Sequence, residues 1–319
     1  MSFLSSIFGV GVRARNALYD RGMVHTRNVQ GPVVSVGNLS VGGSGKTPFV
    51  LVLGELLTAR GVKFDVLSRG YGRRTRGVAR VDPGGLPREF GDEPLLLARR
   101  LSVPVIVGED RYEAGLFAEK SFGPQLHLLD DGFQHRALAR DFDIVLVTPE
   151  DARDRLLPAG RLREQVASLS RADAVVLASG ASPQSFPLNG KLLWRVRRGI
   201  SVTNVPARPV VFCGIARPQS FLLQLRTAGV EPVAQALFRD HHAYTERDIQ
   251  DLLKLRQQSE AEGFVTTEKD AINLGGFLEA LQPLAVIPVK MELMDAANAV
   301  DTMLRMIAER RAGREKIGA

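Results

Sequence analysis

Short apolar runs recur along the chain at lengths that suit buried β-strands. They are Val33–Val36, Phe64–Leu67, Val103–Val107, Leu126–Leu129, Ile144–Val147, Ala174–Ala178, Val210–Phe212, Phe264–Thr266 and Leu284–Val289. Helical periodicity fills several of the gaps, as in Pro48–Ala59 and Asp248–Glu262. Strands alternating with helices predict an α/β fold with a mainly parallel sheet. Around residues 180–207 the pattern weakens into Ser, Pro and Gly with one short strand-like run, Leu192–Val196. A linker is expected over 181–207, in the form of a β-ribbon. It would join a larger domain over 26–180 to a smaller α/β domain over 208–319. Arg310–Lys316 reads as a solvated helix end.

Residues 3–19 show a different pattern, an amphipathic helix. Phe3, Leu4, Ile7, Phe8, Val10, Ala14 and Leu18 share one face, with Ser5, Ser6, Arg13 and Asn16 opposite. The arginines follow the apolar part, the reverse of a secretory signal. Two readings of segment 1–25 stand side by side: a helix docked on its own protein, or a monotopic anchor with arginines on anionic headgroups.

Composition narrows the function. With 45% hydrophobic residues the chain supports a full core, and its single Cys213 excludes a disulfide scaffold or a Cys-rich zinc module. No apolar run is long enough to span a membrane. The net charge of +7 is uneven: residues 1–80 carry 12 Lys and Arg against three acids, and the remainder is nearly balanced. That points to anionic partners near the N-terminus. Aromatics are only 6% and interleave with no basic stripe, so nucleic acid is not expected.

The strongest local signal runs from Val33 to Pro48. An apolar strand enters Ser40-Val41-Gly42-Gly43-Ser44-Gly45-Lys46-Thr47, and a helical pattern follows. Glycines let successive N–H groups wrap a phosphate, and the helix adds its N-terminal dipole. Lys46 would reach the β- and γ-phosphates and the Thr47 hydroxyl a Mg²⁺ ion. Ser40 stands where the common pattern has its first Gly, and a plain Gly-rich turn is the alternative. A second strand, Leu126–Leu129, ends in Asp130-Asp131, where a P-loop protein delivers an acid to the metal.

Phosphoryl transfer to a hydroxyl also needs a proton acceptor. Asp92-Glu93-Pro94 offers carboxylates, although by its residues alone it reads more readily as a helix start, with Asp92 the cap and Glu93 and Pro94 in the first turn. Asp240-His241-His242 offers two imidazoles, too few for zinc without cysteines. Two basic loops, Arg69–Arg80 and Arg161–Arg163, suit phosphate or a solvated surface.

Taken together, Gly37–Pro48, Ser68-Arg69-Gly70-Tyr71-Gly72, Gly91-Asp92-Glu93-Pro94, Asp130–His135, Gly160-Arg161-Leu162-Arg163-Glu164 and Thr266–Asp270 form an ordered set. The set resembles the tetraacyldisaccharide 4'-kinase family, the lipid A kinases of Gram-negative bacteria, and Ser40 fits that family's own loop. The resemblance implies a P-loop NTPase-like fold with a second α/β domain. It implies transfer of the ATP γ-phosphate to the 4'-hydroxyl of a tetraacyl glucosamine disaccharide 1-phosphate. It also implies peripheral attachment to the cytoplasmic face of the inner membrane. By motif, Gly42, Gly43, Ser44, Gly45, Lys46 and Thr47 hold ATP. Asp92 is the base, assisted by His241, with His242 the alternative. Thr47, Asp130, Asp131 and Glu164 lie toward Mg²⁺, and Arg163 closes over phosphate. Glu93, Arg69 and Tyr71 face the lipid substrate.

Rival classes fit less well. A GTPase needs Asn-Lys-x-Asp, which Thr267-Glu268-Lys269-Asp270 does not match. A partitioning ATPase needs a Lys where Val41 stands.

Overall fold

A computed structural model describes residues 3–318, without the side chains of Phe3 and of residues 315–318. Met1 and Ser2 of the 1–25 segment, and the Phe3 side chain of its apolar face, lie outside the described residues. The first lobe contains α1 (Phe3–Asp20), β1 (Val33–Asn38), α2 (Lys46–Thr58), β2 (Phe64–Ser68) and β3 (Ala79–Arg80). It continues through α3 (Pro87–Phe90), α4 (Asp92–Arg100), β4 (Val105–Val107), α5 (Arg111–Phe122), β5 (Leu126–Asp130), β6 (Phe142–Val147) and β7 (Ala174–Leu177). Then come β8 (Leu192–Ile200), β9 (Pro209–Cys213), α6 (Pro218–Thr227), β10 (Ala234–Leu237) and α7 (Glu246–Gln258). The last elements are β11 (Gly263–Thr267), α8 (Glu268–Leu274), β12 (Leu284–Ile287), β13 (Val289–Leu293) and α9 (Ala296–Gly318).

A nine-stranded sheet has the order β13-β8-β7-β6-β1-β5-β2-β4-β3, and only the edge strands β3 and β13 run antiparallel to their neighbours. β1 lies between β5 and β6 and is buried along its whole length. Burial on both faces is why its sequence is continuously apolar rather than alternating. Phe49, Val50, Leu53 and Leu57 of α2 pack on one face of this sheet. The second sheet, β10-β9-β11-β12, is parallel, with α6 on one face and α7 and α8 on the other. Every parallel strand here delivers its C-terminal end to the same rim of its sheet, the usual place for a site in such folds.

Four expectations need correction. The apolar run Leu284–Val289 is two strands: Pro288 separates β12, in the small sheet, from β13, which pairs with β8 in the large one. Residues 289–318, expected in the C-terminal unit, return to the first lobe. There Val300, Met303 and Ile307 of α9 join the core of Val34, Val36 and Phe49. The strand-like run at 192–196, expected in the linker, extends to Ile200 and is part of the large sheet, with Trp194 in its core. An apolar stripe shows that a face is buried but not which sheet receives it. The end of α9 is not simply solvated either. Arg310 donates to the Asp141 carbonyl and to Asp173 at 2.6 Å each, and Arg314 donates to Asp141 at 3.0 Å.

α1 docks by its polar side. Ser5 Oγ donates to the Leu156 carbonyl at 3.1 Å and accepts from the Ala159 N–H at 3.1 Å. Gly9 lets the helix approach Leu156 so closely that a Cβ would sit 2.8 Å from its Cδ1. Asn16 donates to Glu164 at 2.7 Å. The apolar residues point away: Leu4, Ile7 and Val10 are 61%, 54% and 56% exposed. No helix among the described residues is long and apolar enough to cross a membrane.

Candidate active site

The phosphate-binding turn links β1 to α2. Gly45 sits at the helix start with φ +91°, a left-handed conformation that favours glycine. Asn38, the last residue of β1, organises the turn. Its amide donates to Ser44 Oγ at 2.8 Å and to the Ser40 carbonyl at 2.6 Å. Its carbonyl oxygen accepts from Lys46 Nζ and from Arg163, each at 3.1 Å. Lys46 also lies 3.5 Å from Asp131, and Arg163 donates to Asp131 at 3.0 Å. Lys46, Asp131 and Arg163, expected together, are together. Asn38 was not foreseen, because an Asn ending an apolar strand carries no signal of its own.

Asp130 and Asp131 follow one strand but sit in opposite fields. Burial, Glu93 and Asp131 push the Asp130 carboxyl up to about 7. Burial also acts on Asp131, but Lys46 and Arg163 outweigh it and hold Asp131 below the usual carboxylate range. Asp130 Oδ1 and Asp131 Oδ1 are buried with no hydrogen-bond partner among the described residues. Two such oxygens, with the Thr47 hydroxyl in the first turn of α2, fit a hard divalent cation.

Glu164 does not join them. Its carboxylate accepts from Asn16 at 2.7 Å and from Arg171 at 2.9 Å, and its side chain is wholly buried. It follows Arg163 in a bend and, through Asn16, ties α1 to the lobe. Both of these bonds fall on Oε2; Oε1 is buried without a hydrogen-bond partner among the described residues, as are the Asp130 and Asp131 oxygens.

A second cluster faces the first from across the lobes. Gly91 (φ +92°), not Asp92, caps α4; Asp92 is the first helical residue and is 5% exposed. Its carboxylate oxygens lie 2.9 and 3.0 Å from His241 Nδ1, and Asn273 donates to it at 3.2 Å. Lys269 Nζ lies 3.2 Å from both Glu93 and His241 Nε2, and 3.8 Å from Asp92. Lys269 and Asn273 stand four residues apart on α8, so both reach the same carboxylate. The Lys269 contact assigns His241 as the tautomer with its proton on Nδ1, donating to Asp92. Burial would raise the Asp92 carboxyl, but His241, Lys269 and Asn273 outweigh it and hold it low. For His241, burial lowers the imidazole but Asp92 outweighs it and leaves it raised.

His242 is placed elsewhere. It lies 3.1 Å from Asp248 in the N-terminal cap of α7 and stacks on Phe238 at 4.6 Å. The geometry therefore selects His241. Tyr71 is exposed, with its ring 5.3 Å from that of His241, and Arg69 is exposed beside it in the same loop. Gly70 and Gly91 let this loop lie against the start of α4, where a Cβ on Gly91 would come within 2.8 Å of the Tyr71 carbonyl. Lys269 and Asn273 were missed as site residues. Lys269 lies inside the Thr266–Asp270 motif, which gave it no role of its own, while Asn273 lies outside every motif; Thr267 aims both by capping α8, its hydroxyl oxygen accepting from the Asp270 N–H.

An α/β sheet with a phosphate-binding turn, paired acids at the next strand end and a buried carboxylate opposite defines a P-loop phosphotransferase. Comparison with known proteins makes this specific. The family model for tetraacyldisaccharide-1-P 4'-kinase matches residues 1–308. A tetraacyldisaccharide 4'-kinase of Koribacter versatilis is 51% identical, covering 98% of this chain and all of that one. One of Geobacter metallireducens is 36% identical over 95% of this chain and 97% of its own. A crystal structure of LpxK from Aquifex aeolicus in complex with ATP superposes with a TM-score of 0.78 at 34% identity, covering 95% of this chain and 97% of that one. The chain belongs to the tetraacyldisaccharide-1-phosphate 4'-kinase family.

Proposed function

We propose that this chain transfers the γ-phosphate of ATP to the 4'-hydroxyl of a tetraacyl glucosamine disaccharide 1-phosphate, a step of lipid A synthesis. The observation that carries the assignment of roles is the Asp92–His241 contact at 2.9 Å, which brings residues from the two lobes to one point. The hydroxyl oxygen attacks the γ-phosphorus as the bond to the bridging β,γ-oxygen breaks, and ADP leaves. Asp92 accepts the hydroxyl proton. His241 positions Asp92 through Nδ1–H, and Lys269 fixes the imidazole from its other side.

Gly42, Gly43, Ser44 and Gly45 cradle the phosphates, with Lys46 and Arg163 neutralising charge on the transferring group. Thr47, Asp130 and Asp131 would hold Mg²⁺, which would draw negative charge off the phosphate oxygens during transfer. It also accounts for Asp130: a nearby dication would return that carboxyl to its ionised form. Glu93, Arg69 and Tyr71 line the approach of the sugar acceptor.

The exposed apolar side of α1, with Arg13 and Arg15 on the helix and Arg21 just after it, lies in the headgroup layer of the inner membrane on its cytoplasmic face. The lipid acceptor is then reached without leaving the bilayer. The test is incubation with ATP and a tetraacyl disaccharide 1-phosphate, followed by mass spectrometry. One added phosphate on the distal sugar is the expected result. Turnover that ignores the lipid, is stimulated by DNA, or prefers GTP would overturn the reading.

A further inference from the structure

Two arginines outside the sequence motifs of the site lie directly on the glycines of the phosphate-binding turn. Arg198 is on β8, the strand leading to the second lobe, and Arg217 is at the start of α6 within that lobe. A Cβ built on Gly45 would fall 2.9–3.1 Å from the Cζ, Nη1 and Nη2 atoms of Arg198. One on Gly43 would fall 3.0–3.3 Å from Cγ, Cδ and Nε of Arg217. Any side chain at either glycine would displace an arginine, so the two guanidinium groups and the turn form one packed unit.

Their charges are poorly compensated. Among the described residues Arg198 makes no hydrogen bond and no ion pair through its guanidinium. Arg217 has one ion pair, with Glu150 at 3.4 Å, and its Nη2 is buried without a partner. Burial and the neighbouring Arg217 both lower the pKa of Arg198. Two half-buried guanidinium groups held near each other and short of carboxylates repel one another, and an anion between them would relieve that repulsion. The anion the turn is built for is a polyphosphate, whose oxygens match the planar fork of arginine.

We propose that Arg198 and Arg217 bind the nucleotide's β- and γ-phosphate oxygens from the side of the second lobe, opposite Lys46, so that a triphosphate draws the two lobes together. The inference rests on the ATP-dependent reading of the site and adds to it two specific ligands. Arg198 is carried on the large sheet of the first lobe, on the strand that leads to the second lobe, and Arg217 moves with the second lobe. The clamp therefore joins nucleotide occupancy to the placement of His241 on Asp92.

The test is direct binding of ATP, ADP and AMP, measured by calorimetry on the full chain and on the variants Arg198→Gln, Arg198→Lys, Arg217→Gln and Arg217→Lys. Each neutral variant is expected to weaken ATP at least about tenfold, ADP less, and AMP not at all, as loss of a charge-assisted bond predicts. Arg198→Lys keeps the charge but not the fork, and is expected to fall between wild type and Arg198→Gln. Unchanged ATP affinity in both neutral variants would overturn the proposal, as would equal losses for all three nucleotides. Thermal melting identifies any variant that fails to fold, and for such a position the Lys replacement carries the comparison. Wild-type turnover with the lipid acceptor is measured alongside. A wild type that binds ATP but phosphorylates nothing would sink the assigned phosphoryl transfer and leave the clamp standing.

Discussion

The two sides of the cleft are built in different ways. The phosphate side is almost continuous in sequence: Asn38, Ser44, Lys46 and Thr47 come from one strand, one turn and one helix. The acceptor side is assembled from afar, since Asp92 meets a histidine 149 residues away and an asparagine 181 residues away. A local unit keeps its shape whenever β1 and α2 form. The acceptor side exists only when the lobes are correctly apposed. Damage to the phosphate side should therefore act on chemistry directly, and damage to the acceptor side through placement.

The largest effect is expected from Lys46→Ala. Removing the cation that spans Asn38, Asp131 and the phosphates should lower kcat by roughly 10³-fold or more, with an unchanged circular dichroism spectrum and melting temperature. Near-normal turnover in a folded variant would remove the turn from the site. Asp92→Asn comes next, with about 10²- to 10³-fold loss of kcat while ATP affinity stays within twofold. Equal losses in kcat and ATP affinity would make Asp92 part of the phosphate side and erase the distinction.

The same contrast explains how much the sequence revealed. Lys46, Thr47, Asp130 and Asp131 were legible because strand, turn and acid follow one another at fixed offsets. Asp92 alone read more readily as a cap; the family's combination of motifs turned the reading toward a base, and the contact with His241 supports it. Lys269 and Asn273 gave no periodic signal of function, because their role depends on α8 packing against α4 across the lobes. Glu164 follows Arg163 in a motif, but its bonds to Asn16, 148 residues away, and to Arg171 are tertiary and carry no signal in the sequence. The return of α9 to the first lobe was hidden for a related reason, since its stripe of Val300, Met303 and Ile307 would suit either sheet.

His241→Ala sharpens the comparison through pH. In the wild type the imidazole hydrogen bond, the Lys269 ammonium and Asn273 together outweigh burial and keep the Asp92 carboxyl low. Without the imidazole, burial remains and that bond is gone, so the pKa of Asp92 rises. A base must be ionised to work, so the acid limb of kcat/KM should move to higher pH. At its optimum the variant should lose about ten- to a hundredfold, the lower end of what positioned acid–base groups contribute. An acid limb that stays in place or moves to lower pH would show that His241 does not act through Asp92.

Glu164→Gln gives the smallest effect and tests the border of the phosphate side. Glu164 accepts from Arg171 and Asn16 in a wholly buried position, so it serves as the tie that seats α1 beside the Arg163 loop. Glutamine keeps the shape and can still accept, but loses the charge that Arg171 faces. A stability loss of about 1–3 kcal/mol is expected, read as a lower melting temperature. The Mg²⁺ concentration that half-saturates turnover should not move, because the Asp130 and Asp131 oxygens are untouched. Binding to anionic vesicles should weaken a few-fold as α1 loosens, while turnover on detergent-dispersed lipid changes little. A large rise in the Mg²⁺ requirement with stability intact would instead place Glu164 at the metal and extend the phosphate side to the root of α1.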